Sequence, residues 1–335
     1  HRCISPFEEL PIDMVSSFPM DYMHLVCLGV MRKLLNQWRL CAKRFSSELN
    51  DLIKKCSRCL PMEFSRKCRT LDVLEYWKAA EFRQFLLYIG PVVLKPYLDN
   101  DRYMHFLQFS IAVYIFCHPF FHKTWFDFAR ILLNNFVSDF AILYSDADIV
   151  YNIHCLLHLH EDVSRFGVLD NFSAFPFESF LQIIRNSIKG STNVAAQVYR
   201  RFSERRMPEL PSCPMLLDDD EGVPRYLQLP RSSPAIFHNG YVLSTDVPDN
   251  VVLIGGRPCV LTSITANGIQ YRPFVDCCDF FTTSISSSSL LMFKASTLAT
   301  SPLTATLSDI ICKYVAFNID DHFIFIPLLH TFQKQ

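Results

Sequence analysis

One feature constrains the fold more than any other: the hydrophobic period changes partway along the chain. Through residues 12–206, apolar side chains return every three or four positions, as Leu25, Leu28, Met31, Leu35 and Trp38 do within 22–45. The same spacing runs through 74–98, 103–117, 124–144 and 149–164, with glycine nearly absent. This is the period of amphipathic helices. Gly90-Pro91 marks a turn or kink between two of them. Residues 207–224, MPELPSCPMLLDDDEGVP, are rich in Pro and Asp and read as a linker. Beyond them, short β-type runs alternate with turn signals: VVLIGG, RPCVLTSI, Asn267-Gly268, IQYRPFV, SLLMFKA, KYVAF and HFIFIPLL. Asn-Gly between two such runs marks a hairpin, and roughly six strands suggest a small barrel or sandwich. Ser284–Ser289, SISSSS, reads as a short polar loop. The expected architecture is a mainly α-helical domain over 1–206, a linker over 207–224 and a small all-β domain over 225–335.

Composition narrows the class of protein. Of 335 residues, 50% are hydrophobic and 19% charged, a balance that folds into a core and not into a disordered chain. The net charge of −1 gives no overall pull toward nucleic acid, and any basic surface must be local. Residues 1–210 hold 25 Lys and Arg against 22 Asp and Glu; residues 211–335 hold 7 against 11. Thirteen cysteines are irregularly spaced, and Cys27, Cys155 and Cys259 lie inside apolar runs. They read as free thiols in a reducing compartment. The first residues, HRCISPFEEL, carry no initiator Met and no signal-peptide pattern, which suggests a piece of something longer. The longest apolar run, FLQFSIAVYIFCHPFF at 106–121, includes Gln108 and His118 and meets Pro119. It is too short and too interrupted to span a bilayer, and reads as a buried core helix.

Several constellations could carry chemistry. Asp21 and His24 stand three apart in the apolar stretch PMDYMHLVCLGV, and so share a helix face. In YNIHCLLHLHED, His154 and His158 have the i,i+4 spacing that lets two imidazoles reach one metal, while His160 points elsewhere. Such a His pair is more often two hydrogen-bonded helix residues. The two pairs together, however, supply one oxygen and three nitrogens, enough for a closed structural zinc site. Glu178 sits among Phe175, Phe177 and Phe180 just after Pro176. It reads either as an acid favoured in a first helical turn or as a metal ligand in an apolar pocket. Arg185, Lys189, Arg200, Arg201, Arg205 and Arg206 follow within 28 residues, with Glu204 the one acid among them. That stripe is either a solvated helix face or a surface for phosphates. Cys56–Cys59, CSRC, lacks a matching second pair and is weak as a zinc motif. No nucleophile elbow, phosphate-binding loop, dinucleotide fingerprint or H-E-x-x-H helix is present.

The stretches DYMHLVCLGVMRKLL, EYWKAAEFRQFLLYIGPVVLK, YNIHCLLHLHEDVSRFGVLDNFSAFPFE and the closing FIPLLH resemble animal transposon-derived proteins. These look like the transposases of CACTA-type elements. The resemblance implies a DDE/D enzyme with an RNase H-like core, in which three carboxylates bind two Mg²⁺ ions for strand cleavage and transfer. It makes Glu178 the third carboxylate. Asp21 and His24 become the family's D-x-x-H motif, which would bind a structural zinc with His154 and His158. It further implies DNA as partner and a nuclear protein, with self-association left open and no membrane involvement. The first two catalytic Asp residues of that pattern are absent from the 335 residues. The segment between Asp21 and Glu178 would then be the helical insertion domain of a core whose strands are largely missing. The expectation is a catalytically incomplete C-terminal part of a transposase. Its rival is a domesticated, non-catalytic module that binds DNA or protein.

Overall fold

The computed structural model of the protein describes residues 5–41, 47–204, 225–227, 235–265, 268–283 and 285–332. The expected linker, Arg205, Arg206, Asn267 and Ser284 lie outside them. The order is helices first and an antiparallel all-β region after, as the change of period requires. By compactness the chain forms two units. One gathers residues of 1–44, 78–87 and 94–178; the other gathers those of 45–77, 88–93 and 179–335. The second unit therefore combines helical segments with the strands.

The first unit is built on the helix Asn100–Cys117, which is buried nearly all round. Asp99 caps it by accepting the Arg102 amide at 3.0 Å and pairs with the Arg102 guanidinium at 2.6 Å. Its partner Phe126–Leu143 buries one stripe, Ala129, Leu132, Leu133, Phe136, Val137 and Phe140, with helical three- and four-residue spacing. His105 stacks on Phe136 with ring centroids 4.1 Å apart, and its Nε2 lies 2.9 Å from the Phe136 carbonyl oxygen. The apolar run over 106–121 is thus a core helix. It ends at His118, extended before Pro119, whose Nδ1 accepts the amides of Phe120 and Phe121. No helix among the described residues is long and apolar enough to cross a membrane.

Three helical expectations need correction. The 22–45 segment opens as a π-helix, Met23–Met31, before continuing as Arg32–Cys41. The expected 149–164 helix is two short ones, Tyr151–Cys155 and Leu159–Phe166, separated by a turn over 156–158. Of the two readings of Gly90-Pro91, turn or kink, the turn is excluded. The chain runs helically from Ala79–Gln84 through a π-turn, Phe85–Ile89, into Gly90–Val93. A proline has no N–H and crowds the carbonyl four residues back. A π-turn just before Pro91 widens the helix there and lets it continue.

In the second unit the described strands form two sheets. The smaller joins β1 (Arg225–Leu227), β2 (Ala235–His238) and β3 (Tyr241–Ser244). The larger contains β4 (Val251–Ile254), β5 (Arg257–Thr265), β6 (Gly268–Pro273), β7 (Cys278–Asp279), β8 (Phe293–Ala295), β9 (Leu303–Ala305), β10 (Cys312–Ile319) and β11 (His322–Pro327). Its order is β7-β8-β11-β10-β4-β5-β6-β9. Two-residue turns set the registers. Asn239-Gly240 joins β2 to β3 and Gly255-Gly256 joins β4 to β5, all four residues with positive φ as such hairpins demand. Ile236, Tyr241, Leu243, Val252, Cys259, Leu261, Ile264 and Ile269 form the core. The described strands outnumber the expected six because β1, β2, β3, β7 and β9 are only two to four residues long, too short to show a period. The SISSSS stretch is more than a polar loop. Ser287 is buried, accepts the Phe280 amide at 2.8 Å and donates to the Met292 carbonyl at 2.9 Å.

Candidate metal-ligating and nucleic-acid-binding residues

Asp21 and His24 are brought together at the start of the π-helix. The Asp21 carboxylate accepts the His24 amide at 2.9 Å and the Met23 amide at 3.2 Å, and it meets the His24 Nδ1. It also accepts the Ala174 amide at 2.6 Å, which ties the start of this helix to the entry of Phe175–Ser187. Burial pushes the Asp21 carboxyl up, but the Ala174 and His24 hydrogen bonds outweigh burial and hold it below its ordinary value. In this arrangement Asp21 is a helix cap and a long-range tether.

His154 and His158 also meet, with ring centroids 5.4 Å apart, across the turn that breaks their helix. Both are exposed. His160 points elsewhere, edge-on to Phe126. The elements bearing His24 and His154 pack on each other: the π-helix lies against Tyr151–Cys155, and Gly29 admits the Asn152 side chain. The Asp162 carboxylate further accepts the Met20 amide at 2.9 Å. As placed, the side chains stand as two pairs, with the Asp21 oxygens engaged by nitrogen donors. Among the described residues no three His, Cys, Asp or Glu side chains gather as a bound ion requires.

Glu178 occupies the first turn of Phe175–Ser187, the position the helix dipole favours. It is exposed, and so are Phe177 (71%) and Phe180 (40%), so the apolar pocket expected around it is absent among the described residues. The CSRC pair holds no metal set either, among the described residues. Cys56 is buried, which pushes its thiol up to about 12, and the Cys59 thiol donates to the Lys55 carbonyl. Cys27, Cys68, Cys117, Cys155, Cys259 and Cys312 are buried free thiols, and Cys278 is an exposed one.

Of the basic stripe, Arg185 lies on the helix Phe175–Ser187, Arg200 and Arg201 lie on Val194–Glu204, and Lys189 lies in the turn between them. One side chain organises the turn between them. Gln197 accepts the Lys189 amide at 2.9 Å and donates to the carbonyls of Gly190 at 3.0 Å and Thr192 at 2.7 Å. Phe180 and Phe202 close the helices edge to face at 5.8 Å. Arg185, Lys189, Arg200 and Arg201 are all exposed. Arg201 pairs with Glu204 at 2.9 Å. Arg185, Lys189 and Arg200 face solvent, and none has a carboxylate within ion-pair distance among the described residues.

Sequence reasoning misses a charged cluster in the second unit. Lys313 on β10 is fully buried, with its ammonium among Glu63, Asp249 and the Val242 carbonyl. Its signal is a lysine inside the apolar run IICKYVAF, where a charge needs a partner. Nothing local names that partner, because Glu63 lies 250 positions away.

Residues 233–328, from just before β2 through β11, match a family described as a domain of unknown function, DUF8592. No curated protein and no solved structure matches the chain.

Proposed function

We propose that this is a transposase-derived, nuclear DNA-binding protein, related to the C-terminal part of CACTA-type DDE/D transposases, which grips phosphates through the helical hairpin 175–204. The observation that carries the reading is the set of exposed cations at Arg185 and Arg200 on the two helices and Lys189 in the turn between them, which Gln197 holds; none has a carboxylate partner among the described residues. Lysine and arginine so placed exchange counterions with a phosphate backbone, giving affinity without sequence preference. DNA cutting lies outside the proposal, since a two-metal site needs several carboxylates and Glu178 stands without them among the described residues.

Fluorescence anisotropy with a labelled duplex tests this. Arg200→Ala/Arg201→Ala is expected to weaken binding across all sequences. It should also lower the slope of log affinity against log salt by nearly two, about 0.9 for each phosphate no longer neutralised. Unchanged affinity and slope would remove the hairpin as the DNA surface.

A structural zinc belongs to the same proposal, with the Asp21–His24 and His154–His158 pairs as its donors. The packing of the elements bearing His24 and His154 supports it. Added zinc is expected to raise the melting temperature, and His158→Ala to abolish that rise. A melting curve indifferent to both zinc and a strong chelator would strike zinc from the reading.

A further inference from the structure

The Lys313 ammonium lies 2.9 Å from each Glu63 oxygen, 2.6 Å from an Asp249 oxygen and 2.6 Å from the Val242 carbonyl. Lys313 is 0% exposed, and the Glu63 and Asp249 side chains are 8% and 6% exposed. The same two carboxylates bind backbone: Glu63 accepts the Val242 amide at 2.8 Å, and Asp249 accepts the Met62 amide at 3.0 Å. Lys67 donates to the Leu60 carbonyl, and partial burial lowers its pKa against the pull of Asp249 and Glu63. Three charges, Lys313, Glu63 and Asp249, therefore close on one another between this loop and the strands.

The family match includes Lys313, Asp249 and Val242 but begins at residue 233. Within those bounds a buried ammonium has one carboxylate, and a buried charge stripped of a partner is among the most damaging defects a fold can carry. We infer that the β region is a receptor for a carboxylate-bearing loop, and that residues 60–67 of this same chain are its ligand. Recognition needs a backbone N–H followed by a carboxylate, here Met62 and Glu63. The first reaches Asp249; the second reaches Lys313 and the amide of β3. The turn that presents them is closed by the Phe64 amide on the Pro61 carbonyl at 3.2 Å. Phe64 packs edge-on to Tyr88 at 5.4 Å. The strands 235–327 and the segment 45–77 are on this reading one folding unit, and the charges select which loop docks.

Hydrogen exchange on the full chain tests the inference with shape-conserving variants. Glu63→Gln keeps an oxygen for the Val242 amide, removes the charge and replaces one of the two oxygens that Lys313 reaches with an NH2 group. It is expected to speed exchange in β3, β4 and the 57–64 segment together by roughly a hundredfold, leaving Asn100–Cys117 unaffected. The triple variant Glu63→Gln/Asp249→Asn/Lys313→Met buries no charge and is expected to recover most of the protection. The inference is overturned if Glu63→Gln leaves exchange in β3 and β4 within about threefold of the parent, or if the triple variant is no better protected than the single one. Should Glu63→Gln fail to fold, the triple variant decides: a folded, protected triple supports charge-selected docking, and an unfolded one refutes it.

Discussion

Acidification from pH 7 to pH 4 is expected to unfold the helical unit through two buried histidines. His105 is 2% exposed and His118 is fully buried. Burial lowers His105 to about 4 despite its bond to the Phe136 carbonyl, and lowers His118 to about 3, with nearby His122 adding to the effect. Both fold as neutral imidazoles. An unfolded chain, titrating near the ordinary 6.5, takes up protons that the folded chain refuses. The stability held by these residues is therefore fully present above about pH 6.5 and drains away as pH falls toward 4 and 3. The combined loss is on the order of 5 kcal/mol or more, comparable with the whole stability of an ordinary domain. Far-UV circular dichroism against pH reports it. His118→Asn retains an acceptor where Nδ1 receives the Phe120 and Phe121 amides, and His105→Gln retains a polar tip near the Phe136 carbonyl. The double variant is expected to shift the acid midpoint down by a pH unit or more. A midpoint that does not move would show that carboxylates, not these histidines, set the acid limit.

Gly29→Ala is expected to destabilise the same unit by about 1–3 kcal/mol, through overpacking. A Cβ there would lie 2.5 Å from the Asn152 side-chain nitrogen and 2.9 Å from the His24 carbonyl oxygen. Asn152 can swing aside; the carbonyl belongs to the π-helix backbone and cannot. Adding Asn152→Ala should therefore restore part of the melting temperature and not all of it, a drop of several degrees remaining. If Gly29→Ala melts with the parent, the approach of Tyr151–Cys155 to the π-helix is looser than these distances require. Because that approach also brings His24 and His154 onto neighbouring elements, the variant bears on the zinc reading as well.

Much of this architecture is written in local pattern. The helices Asn100–Cys117 and Phe126–Leu143 follow from apolar spacing alone, and β4, β5 and β6 from the runs VVLIGG, RPCVLTSI and IQYRPFV. Asn239-Gly240 is also a hairpin turn signal, but both strands beside it are four residues long, with no longer strand such as β5 to supply a period. The break at 156–158 is invisible for a different reason: Leu156, Leu157 and Leu159 sustain the apolar run straight through it. Pro91 misleads because a π-turn can absorb a proline that an α-helix would reject. At the candidate sites, adjacency is legible and surroundings are not. Spacing joins Asp21 to His24 and His154 to His158, and each pair does meet. Exposure of Glu178 depends on what packs over Phe177 and Phe180, which no local window holds. The Lys313 cluster is the extreme case, since both carboxylates come from distant chain.

The position of β10 between β4 and β11 has a consequence for biosynthesis. Glu63 and Asp249 leave the ribosome long before Lys313, and until it emerges each carboxylate keeps its hydration shell. The β4–β5–β6 meander can pair as it is made, but the larger sheet waits for its penultimate strand. A nascent chain arrested anywhere short of Cys312 would carry two acids prepared for a base that has not yet been translated.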